Sequence, residues 1–316
     1  MQKILVPVFF LLIFKQSTAQ DGKIIDQMQV VMNDSLLGSI ARYRPEVKEI
    51  NDSVVIYKIT YLSDGLKVKG YLVFPKKPGK YPCVIYNRGG NREFGKLNEW
   101  DYGYIMAQIA SWGYIVVGSQ YRGNDGGEGQ EEFGGKDIDD VMNLFPLLNH
   151  IQKADTSRIG MFGISRGGMM TYISLKKTKQ LKAAVVISGV TDLIKMLDTR
   201  PEFDAEVYGE LIPDYKNNKT KLLRERSAVY FADEICKTTP IFILQGTSDW
   251  RVPTNQVIDL VNKFYEVKQP FRFSLFEGGS HGVLEFWNEL SRQTKVFLDR
   301  YLRDKKLWPS LEFHGD

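Results

Sequence analysis

The chain has 316 residues, of which 43% are hydrophobic and 25% are charged, and its formal net charge at pH 7 is +4. This composition is typical of an ordinary globular protein, and the length is sufficient for one large domain with a substantial core. The weak positive charge gives no reason to expect nucleic acid or an anionic membrane as a partner. The densest basic run, residues 176–182, lacks interleaved aromatic residues and is interpreted as a solvated helix end and loop.

The first 19 residues have the pattern of a secretory signal peptide. Lys3 precedes an apolar run from Ile4 to Phe14, and a polar segment ending in Ala19 follows. The apolar run is shorter than the roughly 20 residues that a membrane-spanning helix needs, although an uncleaved anchor is an alternative. We therefore expect cleavage near Ala19, a secreted or periplasmic protein, and no stable membrane insertion afterwards. Removing residues 1–19 takes away two lysines and no acid, so the formal charge falls from +4 to +2.

Strand and helix patterns alternate from residue 54 onward, after a segment at 21–50 whose mixed pattern predicts helix. The runs 54–61 and 68–74 predict a β-hairpin that turns at Asp64-Gly65. Shorter apolar runs predict six further strands, at 83–86, 114–118, 158–164, 183–189, 241–246 and 271–276. Helical patterns lie between them, at 105–112, 137–151, 169–175, 254–267 and 286–303.

Apolar strands separated by helices predict a mostly parallel sheet of the α/β class, with helices on both of its faces. Together with the antiparallel hairpin, the sheet has eight predicted strands. Residues 190–239 interrupt the alternation with charged and aromatic helical pieces, and we interpret them as a cap-like insertion. The sequence has no internal repeat and no long linker, so residues 20–316 are predicted to form a single catalytic domain.

The segment Gly163-Ile164-Ser165-Arg166-Gly167 lies between a predicted strand and a predicted helix. In α/β-hydrolases, Gly-x-Ser-x-Gly at such a junction places a nucleophilic serine on a sharp turn above the sheet. A Cβ atom at Gly163 or Gly167 would press into the neighbouring strand and helix. The pattern alone arises by chance in roughly one chain in ten of this length, so its weight depends on a base, an acid and an oxyanion site elsewhere.

A serine hydroxyl is a weak nucleophile until an imidazole takes its proton. The chain has three histidines. His281 follows the last predicted strand, where the base of an α/β-hydrolase belongs. His150 lies at the end of a predicted helix, and His314 lies close to the C-terminus. His281 is therefore the predicted base.

A carboxylate must hold that imidazole in the correct tautomer. Asp249 follows the strand at 241–246 and lies between Ser165 and His281 in the sequence, so it is the predicted acid. Asp192, which follows the preceding strand, is the alternative. The order serine, aspartate, histidine is the order that the α/β-hydrolase fold requires.

The oxyanion hole needs hydrogen-bond donors that are fixed before the tetrahedral intermediate forms. The backbone N–H of Arg166 is the first predicted donor. The second is predicted in the loop that contains Arg88 and Gly89, because its glycines allow the backbone to approach the substrate. Arg88 itself is either a surface loop charge or a residue whose guanidinium or N–H faces the cleft. The predicted chemistry requires no cofactor.

The segment 123–135 contains six glycines and four acidic residues, which are Asp125, Glu128, Glu131 and Glu132. It is too acidic for a phosphate cradle and lacks the Gly-Lys-Ser/Thr ending. We interpret it as a mobile loop that borders the active site, with a calcium site as the alternative. Asp137, Asp139 and Asp140 begin the next predicted helix, and we interpret them as partners of its positive N-terminal dipole.

The two cysteines, Cys83 and Cys236, each adjoin a predicted strand. An exported protein can pair its cysteines. The two strands are not neighbours in the predicted sheet, so two buried thiols are expected, and a disulfide is the alternative.

Several segments resemble the catalytic domain of the prolyl oligopeptidase (S9) family of serine peptidases. The resemblance extends from about residue 81 to 302, and 246–253, Gly-Thr-Ser-Asp-Trp-Arg-Val-Pro, is similar to the family's acid segment. Further similar motifs are Tyr121-Arg122-Gly123, residues 134–141 and Arg226-Ser227. The resemblance implies an α/β-hydrolase fold and a catalytic triad of serine, aspartate and histidine at the three positions already predicted.

Two departures from the family pattern concern substrate binding. Many members have Tyr or His before the paired glycines of the oxyanion loop, where this chain has Arg88, so a backbone N–H is the expected second donor. Members of the family usually carry a β-propeller that selects substrates, and residues 20–80 are too few to form one. Selection is therefore expected to depend on residues 190–239 and on the loops around the cleft.

Three functions are consistent with these residues. The leading one is an exported serine peptidase that acts through an acyl-enzyme, with peptides as the substrate that the resemblance implies. A carboxylesterase that acts on small or carbohydrate esters needs the same triad and is the main alternative. A binding protein on an inactive hydrolase scaffold is a third hypothesis, and the complete predicted triad argues against it. The sequence leaves the oligomeric state open.

Overall fold

A nine-stranded sheet runs through residues 20–315, which are the residues that this computed structural model describes. The predicted signal peptide at 1–19 lies outside the described residues. The strands are β1 Ile24–Val30, β2 Val54–Ser63, β3 Leu66–Pro75, β4 Tyr81–Asn87, β5 Ile115–Ser119, β6 Ala154–Ile164, β7 Leu181–Ile187, β8 Ile241–Gly246 and β9 Phe271–Phe276. Their order across the sheet is β1-β2-β3-β5-β4-β6-β7-β8-β9.

The predicted hairpin is confirmed. Strands β2 and β3 pair antiparallel from Val54 opposite Pro75 to Ser63 opposite Leu66. The two connecting residues, Asp64 and Gly65, have φ values of 51° and 78°. Two consecutive positive φ values belong to a type I′ turn, whose twist matches that of the paired strands, and Asp-Gly is a favoured sequence for it.

The prediction of helix throughout residues 21–50 is wrong for the first part of that segment. Residues 24–30 form β1, which pairs antiparallel with β2 at the edge of the sheet. All seven of its side chains are exposed or only partly buried, so the strand lacks the buried apolar face from which a strand is usually recognised. The two helices that follow are α1 Asp34–Ala41 and α2 Val47–Ser53.

The remaining strands form the mostly parallel part of the sheet. Strand β4 lies between β5 and β6 and is parallel to both, and β6 to β9 continue in parallel order. The sheet thus has one strand more than the eight predicted, and the predicted mostly parallel architecture is confirmed. The later helices are α3 Ala107–Ser111, α4 Asp137–Met142, α5 Leu144–Asn149, α6 Arg166–Lys177, α7 Leu193–Met196, α8 Gly209–Leu211, α9 Tyr215–Glu225, α10 Thr254–Glu266 and α11 Trp287–Leu298.

Two hydrophobic cores lie on opposite faces of the sheet. One packs α4, α5, α6 and α10 together with the inserted helices, and the other packs α1, α2, α3 and α11. The predicted helix at 137–151 is divided between α4 and α5 at Asn143. Pro146 explains the break, because its ring clashes with the carbonyl four residues earlier and it cannot donate the helical hydrogen bond.

The two cysteines are free and buried. Cys83 lies in β4 and Cys236 precedes β8, and β6 and β7 separate these two strands in the sheet. The expectation of two buried thiols is confirmed. None of the helices between residues 20 and 315 combines the length and the apolar character of a membrane-spanning segment.

Candidate active site

Ser165 occupies a strained turn between β6 and α6. Its φ and ψ are 58° and −123°, a combination that side-chain-bearing residues adopt only when the surrounding structure enforces it. The Ser165 N–H donates to the carbonyl of Ile187, and its own carbonyl accepts from Gly168 and Val190. The bonds to Ile187 and Val190 fix the turn against β7 and the loop that follows it, and the bond from Gly168 closes the turn onto α6.

Two glycines make this turn sterically feasible. A Cβ atom at Gly167 would overlap the carbonyl oxygen of Asn87, and one at Gly163 would overlap the carbonyl oxygen of Gly167 itself. The backbone of Gly89 also lies against the serine, since a Cβ there would be 3.2 Å from the Cβ of Ser165 and 3.8 Å from its Oγ. The loop after β4 therefore meets the serine turn directly.

His281 and Asp249 are paired at the same edge of the sheet. The Nδ1 atom of His281 lies 3.0 Å from Oδ1 and 2.9 Å from Oδ2 of Asp249. Asp249 follows β8 and His281 follows β9, and the carboxyl ends of these adjacent parallel strands lie side by side. The sequence separation of 32 residues is thus closed by strand pairing.

Asp249 is 4% exposed and accepts the backbone N–H groups of Arg251 and Val252 at 2.9 Å each. Burial acts to raise the pKa of Asp249, but its hydrogen bond and charge interaction with His281 and its backbone donors outweigh burial, so that the pKa is lowered. Asp192, the alternative acid, instead caps α7 by accepting the N–H groups of Ile194 and Lys195.

Ser188 is a residue of the site that sequence reasoning missed. It follows β7, has a φ of 46°, and its hydroxyl accepts the N–H of Gly282 at 3.0 Å. A hydrogen bond from Ser188 also helps to lower the pKa of Asp249. The residue therefore connects the loops that carry the acid and the histidine. The predicted strand at 183–189 includes Ser188, whereas β7 ends at Ile187, so the sequence contained no signal that this residue belongs to the site.

Ser165 and His281 line one cavity of about 520 Å³. In the described chain, no hydrogen bond joins the serine hydroxyl to the imidazole, and bonds of this kind commonly tighten only in the substrate complex. The cavity is also lined by Gly89 and Gly90 and by apolar residues of the insertion, which are Met196, Phe203 and Val207. The insertion at 190–239 therefore contributes part of the wall of this cavity. His150 and His314 are exposed and lie outside the cavity.

Arg88 is buried, so its interpretation as a surface loop charge is wrong. Its guanidinium donates to the carbonyls of Gln120 at 2.9 Å, Arg92 at 3.0 Å and Gly89 at 3.1 Å. Arg88 does not line the cavity, whereas Gly89 does. The Arg88 side chain therefore supports the loop on the side that faces away from the cavity. The sequence of the loop does not reveal this role, because an arginine beside paired glycines is equally compatible with an exposed surface.

The side chain of Arg166 is buried in the same cluster. It donates to the carbonyl of Gly90 at 3.0 Å and forms ion pairs with Glu131 at 3.1 Å and with Asp137. Burial acts to lower the pKa of Arg166, but the charges of Glu131 and Asp137 outweigh it and raise the pKa overall. Sequence reasoning had assigned a role only to the backbone of this residue.

The loop at 123–135 borders the cavity through Phe133 and is anchored by Glu131. Glu131 accepts the N–H of Arg92 at 2.9 Å and the side-chain amide of Asn124 at 2.8 Å. Burial acts to raise the pKa of Glu131, but Arg166 and these donors lower it overall. Within residues 20–315, no group of three or more His, Cys, Asp or Glu side chains is placed to hold a metal ion.

Two of the three acidic residues at the start of α4 have roles that the helix-dipole interpretation missed. Asp137 is fully buried beside Arg166, and it accepts the N–H of Gly134 at 2.9 Å. Asp140 is fully buried and accepts two nitrogens of the Arg122 guanidinium. Both side chains thus neutralise buried arginines that are distant in the sequence. Acidic residues in the first turn of a helix do not by themselves indicate such partners.

Residues 100–305 match the sequence profile of the "Prolyl oligopeptidase family". A Bacillus subtilis protein named "Uncharacterized peptidase YtmA" is 40% identical over 150 residues, which are 47% of this chain and 57% of that protein. The Caenorhabditis elegans "Dipeptidyl peptidase family member 6" is 25% identical over 76% of this chain and 33% of its own length. The chain thus spans between a third and about three fifths of the length of these two relatives.

Solved structures show the same fold. An acylaminoacyl peptidase from Pyrococcus horikoshii superimposes with a TM-score of 0.66 over 92% of this chain and 46% of its own, at 21% identity. An esterase from Pyrococcus furiosus superimposes with a TM-score of 0.62 over 87% of this chain and 97% of its own, at 20% identity. The predicted α/β-hydrolase fold is therefore confirmed.

Proposed function

Because the chain belongs to the prolyl oligopeptidase family, we propose that it is a serine peptidase whose nucleophile, base and acid are Ser165, His281 and Asp249. One observation carries this proposal. The serine lies on a strained turn in the cavity that His281 also lines, and the Nδ1 of that imidazole is paired with Asp249 at 2.9 Å. This is the relation between base and acid that a serine hydrolase uses.

The proposed reaction begins when the Ser165 hydroxyl oxygen attacks the carbonyl carbon of the substrate. Nε2 of His281 takes the hydroxyl proton, and the carbonyl electron pair moves onto the carbonyl oxygen. Asp249 accepts from Nδ1–H and stabilises the imidazolium, and its lowered pKa keeps it ionised while it does so. His281 then passes the proton to the departing amine, and water cleaves the acyl-enzyme by the same sequence of steps.

The negative oxygen of the tetrahedral intermediate needs fixed donors. We assign the first to the backbone N–H of Arg166, at the N-terminus of α6, where helix N–H groups have no partner within the helix. The second donor is a backbone N–H of the loop containing Arg88 and Gly89, whose glycine lies against Ser165. The Arg88 guanidinium is occupied by backbone carbonyls, which favours a backbone donor over a side-chain donor.

A fluorophosphonate probe tests the nucleophile. We expect one label per folded chain, located on Ser165, and no label on Ser165→Ala or on heat-denatured protein. Ser111→Ala, which removes an exposed hydroxyl at the end of α3, is the matched control and is expected to label normally. A folded wild-type chain that resists the probe would contradict both the peptidase and the esterase functions.

Parallel turnover of peptidyl anilides and short acyl esters tests the reaction type. A peptidase must protonate a poor amine leaving group, so we expect measurable cleavage of both classes, including peptidyl anilides with an apolar residue at the cut. The apolar lining contributed by Met196, Phe203 and Val207 supports this preference. Cleavage of esters alone would support the carboxylesterase function instead.

We also propose that the chain is exported. Lys3, the apolar run from Ile4 to Phe14 and the polar segment up to Ala19 support a signal peptide. N-terminal sequencing of the protein recovered from the medium or the periplasm is expected to begin at Gln20. Recovery of a full-length chain from the cytosol alone would contradict this proposal.

A further inference from the structure

Two buried arginines, one in the loop after β4 and one at the start of α6, support the loop side of the proposed oxyanion hole. The Arg88 guanidinium donates to the carbonyl of Gly89 at 3.1 Å, and that of Arg166 donates to the carbonyl of Gly90 at 3.0 Å. Both glycines line the cavity beside Ser165. The position of the loop relative to α6 therefore depends on where these two guanidinium groups are held.

Glu131 is a carboxylate that the two arginines share. Its Oε1 lies 3.1 Å from Nη1 of Arg166, and its Oε2 lies 3.6 Å from Nη2 of Arg88. The three side chains are between 0% and 3% exposed. One buried carboxylate thus connects the arginine of the loop with the arginine that begins α6.

Tyr121 and Asp137 complete the cluster and hold the two guanidinium groups close to each other. The ring centroid of Tyr121 lies 4.9 Å from each guanidinium carbon, and its hydroxyl donates to the carbonyl of Arg88. Asp137 supplies a second negative charge to Arg166, so two cations face two anions. A buried ion pair that loses one partner leaves an uncompensated charge, so we expect that removing the charge of Glu131 displaces at least one of the two arginines.

We propose that Glu131 is a positioning residue for the oxyanion hole, because it holds the loop containing Gly89 and Gly90 at a fixed distance from the N–H of Arg166. The proposal depends on the proposed function, in which Ser165 is the nucleophile and these backbone groups face the oxyanion. Such donors contribute most when they are fixed before charge develops, and small displacements weaken them. Glu131 contacts no reacting atom and acts only through the two arginines.

A positioning role has a kinetic signature that a purely structural role lacks. Full negative charge on the carbonyl oxygen exists only in the transition state and the tetrahedral intermediate, so misplaced donors lower kcat and leave KM nearly unchanged. A trifluoromethyl ketone inhibitor reports on the same donors. When the Ser165 oxygen bonds to the ketone carbon, the carbonyl electron pair becomes an oxyanion and the serine proton goes to His281.

The test compares Glu131→Gln with the wild type and with Glu128→Gln. The control residue carries the same charge in the same loop, but it is exposed and pairs with Lys67 at 3.5 Å. Fluorophosphonate titration first gives the concentration of competent sites, and kcat, KM and the dissociation constant of a peptidyl trifluoromethyl ketone are then measured per site. Removing an oxyanion donor typically costs 10²- to 10³-fold in kcat.

For Glu131→Gln we expect a smaller loss of about 10- to 100-fold in kcat per labelled site, because the donors are displaced but still present. The inhibitor dissociation constant should rise by a similar factor, and KM should change by less than about 3-fold. Glu128→Gln should behave as the wild type. A Glu131→Gln enzyme with wild-type kcat per labelled site would overturn the proposal, even if fewer sites were competent.

Glu131→Asp keeps the negative charge but has a side chain that is one methylene shorter. It replaces Glu131→Gln in the test if Glu131→Gln does not fold. We expect a folded enzyme with an intermediate loss of kcat. Wild-type kcat in this variant, or unfolding of both variants, would overturn the positioning role in favour of a structural one. Failure of the wild type to label would instead refute the proposed nucleophile, so the two failures are distinguishable.

Discussion

The two sides of the cavity are stabilised in different ways. On the side formed by β8 and β9, a single carboxylate, Asp249, is held by backbone N–H groups and by one imidazole. On the side formed by β4 and β6, the backbone is supported by four buried charges from separate parts of the chain, which are Arg88, Glu131, Asp137 and Arg166. The first arrangement presents side chains for chemistry, whereas the second fixes a backbone for electrostatic stabilisation.

This comparison has an energetic consequence. Substitutions of Asp249 and His281 are expected to lower turnover strongly and the free energy of unfolding only weakly, because Asp249 is also held by the backbone N–H groups of the residues that follow it. The buried cluster is expected to affect folding as well as turnover, since each of its charges depends on the others. The variants below test this contrast, beginning with the largest expected effect.

The largest loss is expected for Ser165→Ala and His281→Ala. Each removes a group that participates in bond making, so kcat should fall by about 10⁴- to 10⁶-fold while folding is retained. The measurement is kcat of the purified variants alongside thermal unfolding. Ser111→Ala should keep wild-type turnover, and ordinary turnover in either site variant would show that the nucleophile or base is elsewhere.

Asp249→Asn and Asp192→Asn form a matched pair, since each removes one carboxylate charge at the same edge of the sheet. Asp249→Asn leaves the imidazole in the wrong tautomer, so kcat should fall by about 10⁴-fold. Asp192→Asn alters the cap of α7 and the hydrogen bond that Asp192 accepts from the Tyr230 hydroxyl, and it should keep kcat while costing about 1 kcal/mol in stability. The reverse pattern of kcat values would identify Asp192 as the acid.

Gly167→Ala tests the strained turn on the β6 side. The added Cβ overlaps the carbonyl of Asn87, and relieving this clash should cost about 2–4 kcal/mol in the free energy of unfolding. Gly38→Ala is the control, because a Cβ at this position in α1 meets no atom within 4 Å. It should be neutral or stabilising by up to about 1 kcal/mol. Denaturant unfolding measures both, and equal stabilities would contradict the tight packing of the turn.

The smallest effect concerns the pH dependence of stability in Glu131→Gln. The folded-state pKa of Glu131 lies below its ordinary value of 4.5, so its ionised form contributes stability above that value. This contribution is lost as the pH falls through the depressed folded pKa. The stability gap between wild type and variant should therefore be constant near neutral pH and narrow below about pH 4. A gap that widens in acid would contradict the depressed pKa.

A region of the site could be predicted from the sequence where its residues are placed by local strand and helix patterns, and it could not where contacts between distant residues place them. The placement of Ser165, Asp249 and His281 at one edge of the sheet was predictable because each follows a strand, and parallel strands bring their carboxyl ends to that edge. The acidic partners of Arg88 and Arg166 could not be predicted, because a buried ion pair between distant residues produces no characteristic spacing in the sequence. The acids of the loop at 123–135 and of α4 could equally have faced solvent.

The sequence by itself determined the hairpin at Asp64-Gly65 and the alternation of strands and helices, because turn chemistry and apolar periodicity are local properties. The tertiary structure decided that residues 24–30 form an edge strand, because an exposed strand is stabilised by a neighbour distant in the sequence. It also decided which carboxylates lie against the buried arginines. Burial raises the free energy of an unpaired charge, so only the folded packing shows which charges must meet.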